Sequence, residues 1–238
     1  MEELAPRLAE IPGIQAVTLG GSRATGTARP HSDWDFGLYY RETIDPADVR
    51  ALGFAGEVFA PHAWGRVPNG GAWLVIDGVP VDLVYRDLAT VEAWTAAAAE
   101  GRFQLFREVG YVAGAPTYSY AAELALNRVL VGSLPRPTFS DALRASAPPF
   151  WRRLAAGGLK FADAHARRDD AVACAGNLAV ATLATAHARM CARGEWYLNE
   201  KDLVARADLD AVQHELRALG DDLVAAVARV GGLLGVDS

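Results

Sequence analysis

Residues 19–39, LGGSRATGTARPHSDWDFGLY, carry the pattern that decides the fold of the first part of this chain. The stretch begins at the end of an apolar run, passes through a turn of small residues and enters a second apolar run. Successive side chains of a β-strand point to opposite faces of its sheet. A strand here places Asp33 and Asp35 on one face and Trp34 and Phe36 on the other. The sequence therefore predicts a strand, a turn, a short helical spacer and a second strand that carries two neighbouring carboxylates.

The carboxylates and the turn together indicate a site for a divalent cation and a phosphate. Two carboxylates held close together on a rigid strand repel each other unless a cation lies between them. Magnesium prefers oxygen ligands of this kind and keeps coordination positions for phosphates. Gly20 and Gly21 let the backbone come close to a ligand, and Ser22 offers a hydroxyl and an amide to a phosphate oxygen. This combination suggests chemistry on a nucleoside triphosphate.

A third carboxylate lies in a predicted β-hairpin over residues 72–85. The dipeptide Asp77-Gly78 joins two apolar runs and accepts the positive φ of a tight turn. Asp82 lies in the middle of the second run, where an aspartate costs free energy to bury unless it is paired or binds a metal. The turn explains Asp77 but not Asp82, so Asp82 is the third candidate metal ligand.

The order of a strand, a Gly-Ser turn, an Asp-x-Asp strand and a later strand aspartate resembles the DNA polymerase β-like nucleotidyltransferase superfamily. The matching residues are Gly21, Ser22, Asp33, Asp35 and Asp82. The sequence around Ser22 is similar to the small bacterial branch that includes the aminoglycoside and lincosamide nucleotidyltransferases. Residues 194–201, GEWYLNEK, show a looser resemblance to the helical domain of uncharacterised bacterial nucleotidyltransferases.

This resemblance implies an α+β fold, with an N-terminal nucleotidyltransferase domain built on a mixed β-sheet flanked by helices and a C-terminal helical bundle. It implies a magnesium-dependent enzyme of the EC 2.7.7 type. Such an enzyme moves a nucleoside monophosphate, AMP from ATP being the first expectation, to a hydroxyl of a small molecule such as an aminoglycoside-type antibiotic, and releases pyrophosphate. ATP or another nucleoside triphosphate is the co-substrate.

The resemblance also implies a role for each candidate residue. Asp33 and Asp35 hold one or two magnesium ions, and Asp82 completes the metal site or acts as the general base on the acceptor. In some antibiotic-modifying relatives the base is a glutamate from another position, and Glu123 is the candidate here. The residues expected to contact the nucleotide are Gly21, Ser22, Arg23 and Lys201. Lys201 is included because a cation near a helix N-terminus is unfavourable unless an anion is present.

Composition limits the partners. The formal net charge of the 238 residues is −6 and the isoelectric point is about 5.4. This charge disfavours nucleic acid as a partner and suits a small cationic acceptor. The chain has two cysteines, no secretory pattern at its start and no apolar run near the roughly twenty residues that span a bilayer. A cytoplasmic protein with no membrane contact is expected, and the oligomeric state is left open.

The pattern of strands and turns gives way to helical spacing along the chain. We expect a nucleotidyltransferase domain over residues 1–112 and a helical domain over residues 113–238. The predicted helices cover residues 88–100, 118–131, 140–168, 171–193 and 210–234.

Two other functions fit the same residues. The first is a nucleotidyltransferase that acts on a protein or tRNA, as in antitoxins, although the fused helical domain is unlike the short chains of that class. The second is a nucleotide-binding module that has lost turnover. One further feature has two interpretations: Trp64 and Trp73 flank the glycine-rich loop 65–71 and either pack in the core or form a stacking wall for a base or an acceptor.

Overall fold

The structure is a computed structural model that describes residues 1–220 and 222–235. Its residues form two compact units, each considered by itself below. The sheet unit contains Met1–Ala98, Phe103–Val109 and Ala115–Thr138, and the helical unit contains Ala99–Arg102, Gly110–Gly114 and the chain from Phe139 onward. Together they give the predicted α+β architecture, with a mixed sheet in the first part of the chain and helices in the second.

The sheet unit is built on a six-stranded sheet. In chain order its strands and helices are α1 (Leu4–Ala9), β1 (Ile14–Leu19), α2 (Gly21–Ala24), β2 (Trp34–Tyr40), α3 (Pro46–Arg50), β3 (Ala55–Val58), β4 (Gly71–Ile76), β5 (Val79–Asp87), α4 (Leu88–Ala99), β6 (Leu105–Phe106), β7 (Ala115–Pro116), α5 (Ser119–Leu126) and β8 (Arg128–Val131). The large sheet has the order β3-β4-β5-β2-β1-β8, and β6 pairs with β7 separately. Strands β2 and β5 are parallel, while the other neighbours are antiparallel.

One face of this sheet packs against the apolar core, and the other carries the polar residues, some of which are also buried. Phe36 and Leu38 of β2 and Leu83 of β5 lie in the apolar core together with Leu8 of α1. Because side chains alternate along a strand, the residues between them point to the opposite face. The predicted hairpin is confirmed: β4 and β5 are joined at the Asp77-Gly78 turn, where φ is 51° and 77°.

The helix predicted over residues 118–131 is wrong in its second half. Helix α5 ends at Leu126, Asn127 is extended, and Arg128–Val131 form β8, which pairs with β1. Without β8, the backbone groups along that edge of β1 would have no strand partner, and buried backbone groups require one. The boundary expected between residues 112 and 113 also differs from the observed division, because Ala115–Thr138 belong to the sheet unit.

The helical unit contains α6 (Asp141–Ala166), α7 (Ala171–Arg193), α8 (Leu203–Arg206), α9 (Asp210–Arg217) and α10 (Leu223–Leu234). Helices α6 and α7 agree with the predicted helices. Ser140 caps α6 by accepting a hydrogen bond from the Leu143 amide at 3.0 Å. The two helices approach closely where Gly158 faces Ala181, since a Cβ on Gly158 would lie 3.1 Å from the Cβ of Ala181.

The single helix predicted over residues 210–234 is wrong, because it divides into α9 and α10. Gly220 has a φ of +68°, a left-handed conformation that does not continue a helix. Asp222 then begins α10, where its Oδ1 accepts a hydrogen bond from the Ala225 amide at 2.9 Å. Helix α9 ends at Arg217, and the left-handed Gly220 and the Asp222 cap then separate it from α10.

Helix α7 differs from the expectation that no apolar segment approaches the length of a membrane span. Within residues 1–220 and 222–235 it is the one helix of 18 residues or more that is apolar enough to cross a membrane, with a mean hydropathy of 1.4. Half of its most apolar window is buried in the structure. Such burial is typical of a core helix.

Candidate active site

Asp35 and Asp82 are neighbours on the polar face of the sheet. They are directly opposite each other in the parallel register of β2 and β5, and each is half-buried. Asp33 is exposed and lies one residue before the start of β2. Burial raises the pKa of Asp82, and the charge of Asp33 raises that pKa further. The structure therefore brings Asp33 and Asp82 close enough to interact and places Asp35 in the strand beside Asp82.

These carboxylates fit a magnesium ion by their chemistry. No group of three His, Cys, Asp or Glu side chains in the described part of the chain is arranged to hold a metal by itself. Magnesium is usually bound by one or two carboxylates, with water and substrate phosphates as its other ligands. Burial, and then the charge of Asp33, raise the pKa of Asp82, so a cation beside these carboxylates would stabilise their charged forms. Asp33, Asp35 and Asp82 carry oxygen atoms of the kind that such an ion takes, and Asp35 with Asp33 or Asp82 would give it two carboxylates.

The turn between β1 and β2 is held against Asp35. The Gly20 amide donates a hydrogen bond to the Asp35 carbonyl at 2.7 Å. Gly21 has a φ of +58°, and a Cβ at this position would overlap Oδ2 of Asp35. Any side chain at residue 21 would therefore strain the backbone and displace the Asp35 carboxylate. No hydrogen bond of the Ser22 hydroxyl is found within residues 1–220 and 222–235, while its carbonyl accepts one from the Thr27 amide at 2.9 Å.

Arg23 contacts the chain that leads into β2. Its Nε donates to the carbonyl of Asp33 at 3.1 Å, and its Nη2 donates to the carbonyl of Ser32 at 2.6 Å. The guanidinium carbon lies 4.4 Å from the centre of the Trp34 ring. These bonds fix the backbone at Asp33, and the expected contact of Arg23 with the nucleotide stays a prediction.

Glu123 lies on the same face as the aspartates and is bound by Arg86. Nε of Arg86 is 2.9 Å from Oε2 and 3.1 Å from Oε1, and Nη2 is 2.8 Å from Oε2. The hydroxyl of Tyr39 donates to Oε1 at 2.8 Å. A Cβ on Gly37 would lie 3.6 Å from Oε1 of Glu123, so this carboxylate stands over the next same-face position after Asp35.

Sequence reasoning missed Arg86 and Tyr39. They are opposite each other in the register of β2 and β5, and both are buried. A buried arginine requires an acidic partner, because an uncompensated charge is strongly unfavourable in the interior. Arg86 is four residues after Asp82 and one residue beyond the predicted hairpin, and in β5 it lies on the same face as Asp82. That spacing was the signal available in the sequence.

Lys201 lies in the helical unit beside a pocket of about 470 Å³. The pocket is lined by Gly110, Tyr111, Val112, Leu183, Asn199, Glu200 and Lys201. The Lys201 amide donates to Oδ1 of Asn199 at 2.9 Å, and its side chain forms no ion pair with any residue that the structure describes.

Glu200, at the same pocket, joins three parts of the helical unit. Its oxygens accept hydrogen bonds from the amides of Val112 and Ala113 at 2.6 and 2.8 Å, and Oε1 is 3.5 Å from Nε2 of His187. The His187 ring stacks on Trp151 with a centroid distance of 4.0 Å. Burial lowers the pKa of His187, although Glu200 acts in the opposite direction.

The structure packs the Gly21 turn against Asp35 and places Asp82 beside Asp35 in the sheet. The sequence pattern predicted this turn and these two strand aspartates. Residues 1–97 match the family model of the nucleotidyltransferase domain. The segment that matches this domain contains Gly21, Asp33, Asp35 and Asp82, and it ends before Glu123 and Lys201. The match is to 97 of 238 residues, so it bears on the sheet unit.

Other comparisons add less. Among solved structures, the chain is similar to a nucleotidyltransferase-like protein from Exiguobacterium sibiricum 255-15, with 9% identity and a TM-score of 0.43. The similarity covers 98% of this chain and 72% of that one. A TM-score of this size does not establish a shared fold. No curated protein matches the sequence.

Proposed function

We propose that this protein is a magnesium-dependent nucleotidyltransferase. It moves a nucleoside monophosphate, AMP from ATP, to a hydroxyl of a small molecule and releases pyrophosphate. The observation that carries the proposal is the register pair of Asp35 and Asp82 beside the Gly21 turn, inside the segment that matches the nucleotidyltransferase domain. The carboxylates offer ligands for the metal, and the glycine lets the backbone come close to the phosphates of a nucleotide.

The residues of the sheet unit divide the work of phosphoryl transfer. Asp33 and Asp35 would hold the magnesium ion, which when bound neutralises charge on the triphosphate. The backbone at Gly21 and the hydroxyl of Ser22 would hold the phosphates that leave. Arg23 keeps the chain at Asp33 in place through the carbonyl groups of Ser32 and Asp33. Lys201 remains a proposed ligand of the triphosphate.

Asp82 is our first choice for the general base, and Glu123 is the second. A base must accept a proton from the acceptor hydroxyl, and the raised pKa of Asp82 favours proton uptake. The oxygens of Glu123 already accept hydrogen bonds from Arg86 and Tyr39. If Asp82 is the base, Glu123→Gln should therefore keep most of the activity. If Glu123 is the base, Glu123→Gln should lose activity to the same extent as Asp82→Asn.

The acceptor that we propose is a small cationic molecule of the aminoglycoside type. The net charge of −6 supports this choice, because an acidic surface concentrates cations and disfavours nucleic acid. A cytoplasmic location is part of the same proposal, since ATP is the co-substrate. A tRNA or protein target and a binding module without turnover are the alternatives.

Labelled ATP separates these functions. The protein is incubated with magnesium and a panel of aminoglycosides, neutral sugars, tRNA and a protein substrate, and pyrophosphate release and acceptor mass are measured. We expect label on a cationic small molecule, loss of label when EDTA is added, and no transfer by Asp35→Asn. Transfer to tRNA or protein alone would reject the small cationic acceptor in favour of a macromolecular target. No transfer to any acceptor would favour a nucleotide-binding module without turnover.

A further inference from the structure

A single row of residues crosses the polar face of the sheet beside the aspartates. Asp35 is opposite Asp82, Asp82 is opposite Trp73 of β4, and Trp73 is opposite Glu57 of β3. Residues directly opposite each other in neighbouring strands have Cβ atoms about 5 Å apart. Trp73 is therefore the next side chain beyond Asp82, and Glu57 is the next beyond Trp73.

Trp73 belongs to an aromatic platform formed by Phe59, Trp64 and Trp73. The rings of Trp64 and Trp73 stack with a centroid distance of 5.3 Å and an interplanar angle of 13°. The Phe59 ring meets Trp73 edge-on at 4.7 Å. Trp64 packs beside Gly71, where a Cβ would overlap the Leu83 carbonyl and lie 2.8 Å from Cη2 of Trp64. Two neighbours thus orient Trp73, yet 52% of its surface is exposed.

The order of the row matches the direction of the proposed reaction. The Gly21 turn contacts Asp35 on one side, and the aromatic platform begins on the other side of Asp82. In phosphoryl transfer the attacking and leaving oxygens are roughly in line through the phosphorus. If pyrophosphate leaves toward the Gly21 turn, the acceptor must approach from the side of Trp73.

We propose that the aromatic platform binds the acceptor and selects molecules that contain a ring. The ring stacks on the exposed part of Trp73, which places a hydroxyl at Asp82, and a cationic substituent reaches Glu57. This inference rests on the proposed function. The hydroxyl oxygen forms a bond to the α-phosphorus, the bond from that phosphorus to the bridging oxygen of pyrophosphate breaks, and the hydroxyl proton passes to Asp82.

The test compares Trp73→Ala with Trp73→Phe and with Val75→Ala as a control. Val75 is 49% exposed and lies two residues further along the same face of β4, outside the row. Aminocyclohexanol and aminohexanol serve as acceptors, because both carry one amine and one hydroxyl but only the first has a ring. We expect Trp73→Ala to raise KM for aminocyclohexanol about tenfold, because the saturated ring loses apolar contact, and Trp73→Phe to restore most of the affinity. KM for aminohexanol and for ATP should not change.

Other results would overturn the inference. An increase of KM for ATP in Trp73→Ala would make the platform a site for the nucleobase. Unchanged KM values together with a change from dimer to monomer, seen by light scattering, would make it an interface between two copies of the chain. Unchanged KM values without such a change would leave the platform as ordinary packing.

A different result would reject the proposed function itself: the wild-type protein would transfer nucleotide to no acceptor. Calorimetry with aminocyclohexanol still tests the platform in that case, using the wild type and Trp73→Ala. Binding that Trp73→Ala weakens about tenfold supports the platform, and binding that it leaves unchanged overturns it. Glu57→Gln should weaken the binding of aminocyclohexanol and should not change the binding of cyclohexanediol, which has no charge.

Discussion

Asp82 lies directly opposite Asp35 across the parallel strands β2 and β5, on the face of the sheet turned away from the apolar core. A shift of either strand by one residue would move every side chain of that strand to the other face. The burial of Phe36 and Leu83 therefore also fixes the position of the two carboxylates. The core and the candidate active site depend on one register.

Replacing Asp35 or Asp82 by Asn should reduce nucleotidyl transfer about a thousandfold or more, because the metal ligand or the base is lost. The fold should persist, since Asn has nearly the same volume. Pyrophosphate release with magnesium measures the loss. The matched control is Asp77→Asn, in a turn where Asn tolerates the φ of 51°. Near wild-type turnover in Asp35→Asn would remove the metal assignment.

Asp82→Asn should be more stable than the wild type near neutral pH. The folded protein raises the pKa of Asp82 above 3.8, so folding favours its protonated form. The stability that Asp82 contributes is then present below 3.8 and is lost as the pH rises through the folded pKa. Urea unfolding should show a difference between variant and wild type that shrinks toward acid pH. Carbon NMR of Asp33→Asn should show a lower pKa for Asp82. An unchanged pKa would mean that Asp33 and Asp82 do not interact.

Gly21→Ala should nearly abolish ATP binding, whereas Gly26→Ala should not. Both glycines have positive φ, 58° and 73°, so both substitutions strain the backbone by about 1–2 kcal/mol. A Cβ at residue 21 overlaps the Asp35 carboxylate, while a Cβ at residue 26 meets nothing within 4 Å. Calorimetry with a non-hydrolysable ATP analogue measures the difference. Equal affinity in the two variants would mean that neither the turn at Gly21 nor the position of the Asp35 carboxylate matters for ATP binding.

Arg86→Met should destabilise the protein by about 3–5 kcal/mol, because it leaves the carboxylate of Glu123 without its buried partner. The double variant Arg86→Met with Glu123→Leu should recover much of this loss, since it removes both charges. Urea denaturation of the two single variants, the double variant and the wild type forms a double-mutant cycle. Additive effects would show that the ion pair contributes nothing beyond its separate side chains.

His187 should make the stability fall as the pH drops below 6.5. Burial lowers its pKa in the folded state, so the unfolded chain binds the proton more readily. The stability that the neutral ring contributes is present above 6.5 and is lost as the pH falls toward the folded pKa. His187→Phe keeps an aromatic ring against Trp151 and should flatten this dependence in urea unfolding. The exposed His31→Gln is the control, and a slope that His187→Phe leaves unchanged would contradict the assignment.

Local patterns in the sequence were enough to predict the hairpin and the positions of Asp35 and Asp82. Alternation with a period of two residues places them, and the Asp77-Gly78 turn joins the arms. The strand β8 could not be predicted in this way, because Arg128–Val131 become a strand by pairing with β1, far away in the chain. The partner of Arg86 was hidden for the same reason, since Glu123 reaches it from a helix that follows much later. Short-range preferences carry no information about such distant contacts.

The pairing of Val17 with Val131 also sets the order in which the nascent chain can fold. Strands β1, β2, β4 and β5 leave the ribosome well before β8, so the parallel pair that carries the aspartates can form while one side of β1 has no neighbour. That side belongs to a strand whose residues from Ala16 to Leu19 are buried in the finished protein. An open edge of this kind is where nascent chains associate wrongly. Synthesis that stops before Arg128 should therefore yield an aggregating product, and release of β8 should be the step that covers this edge of β1.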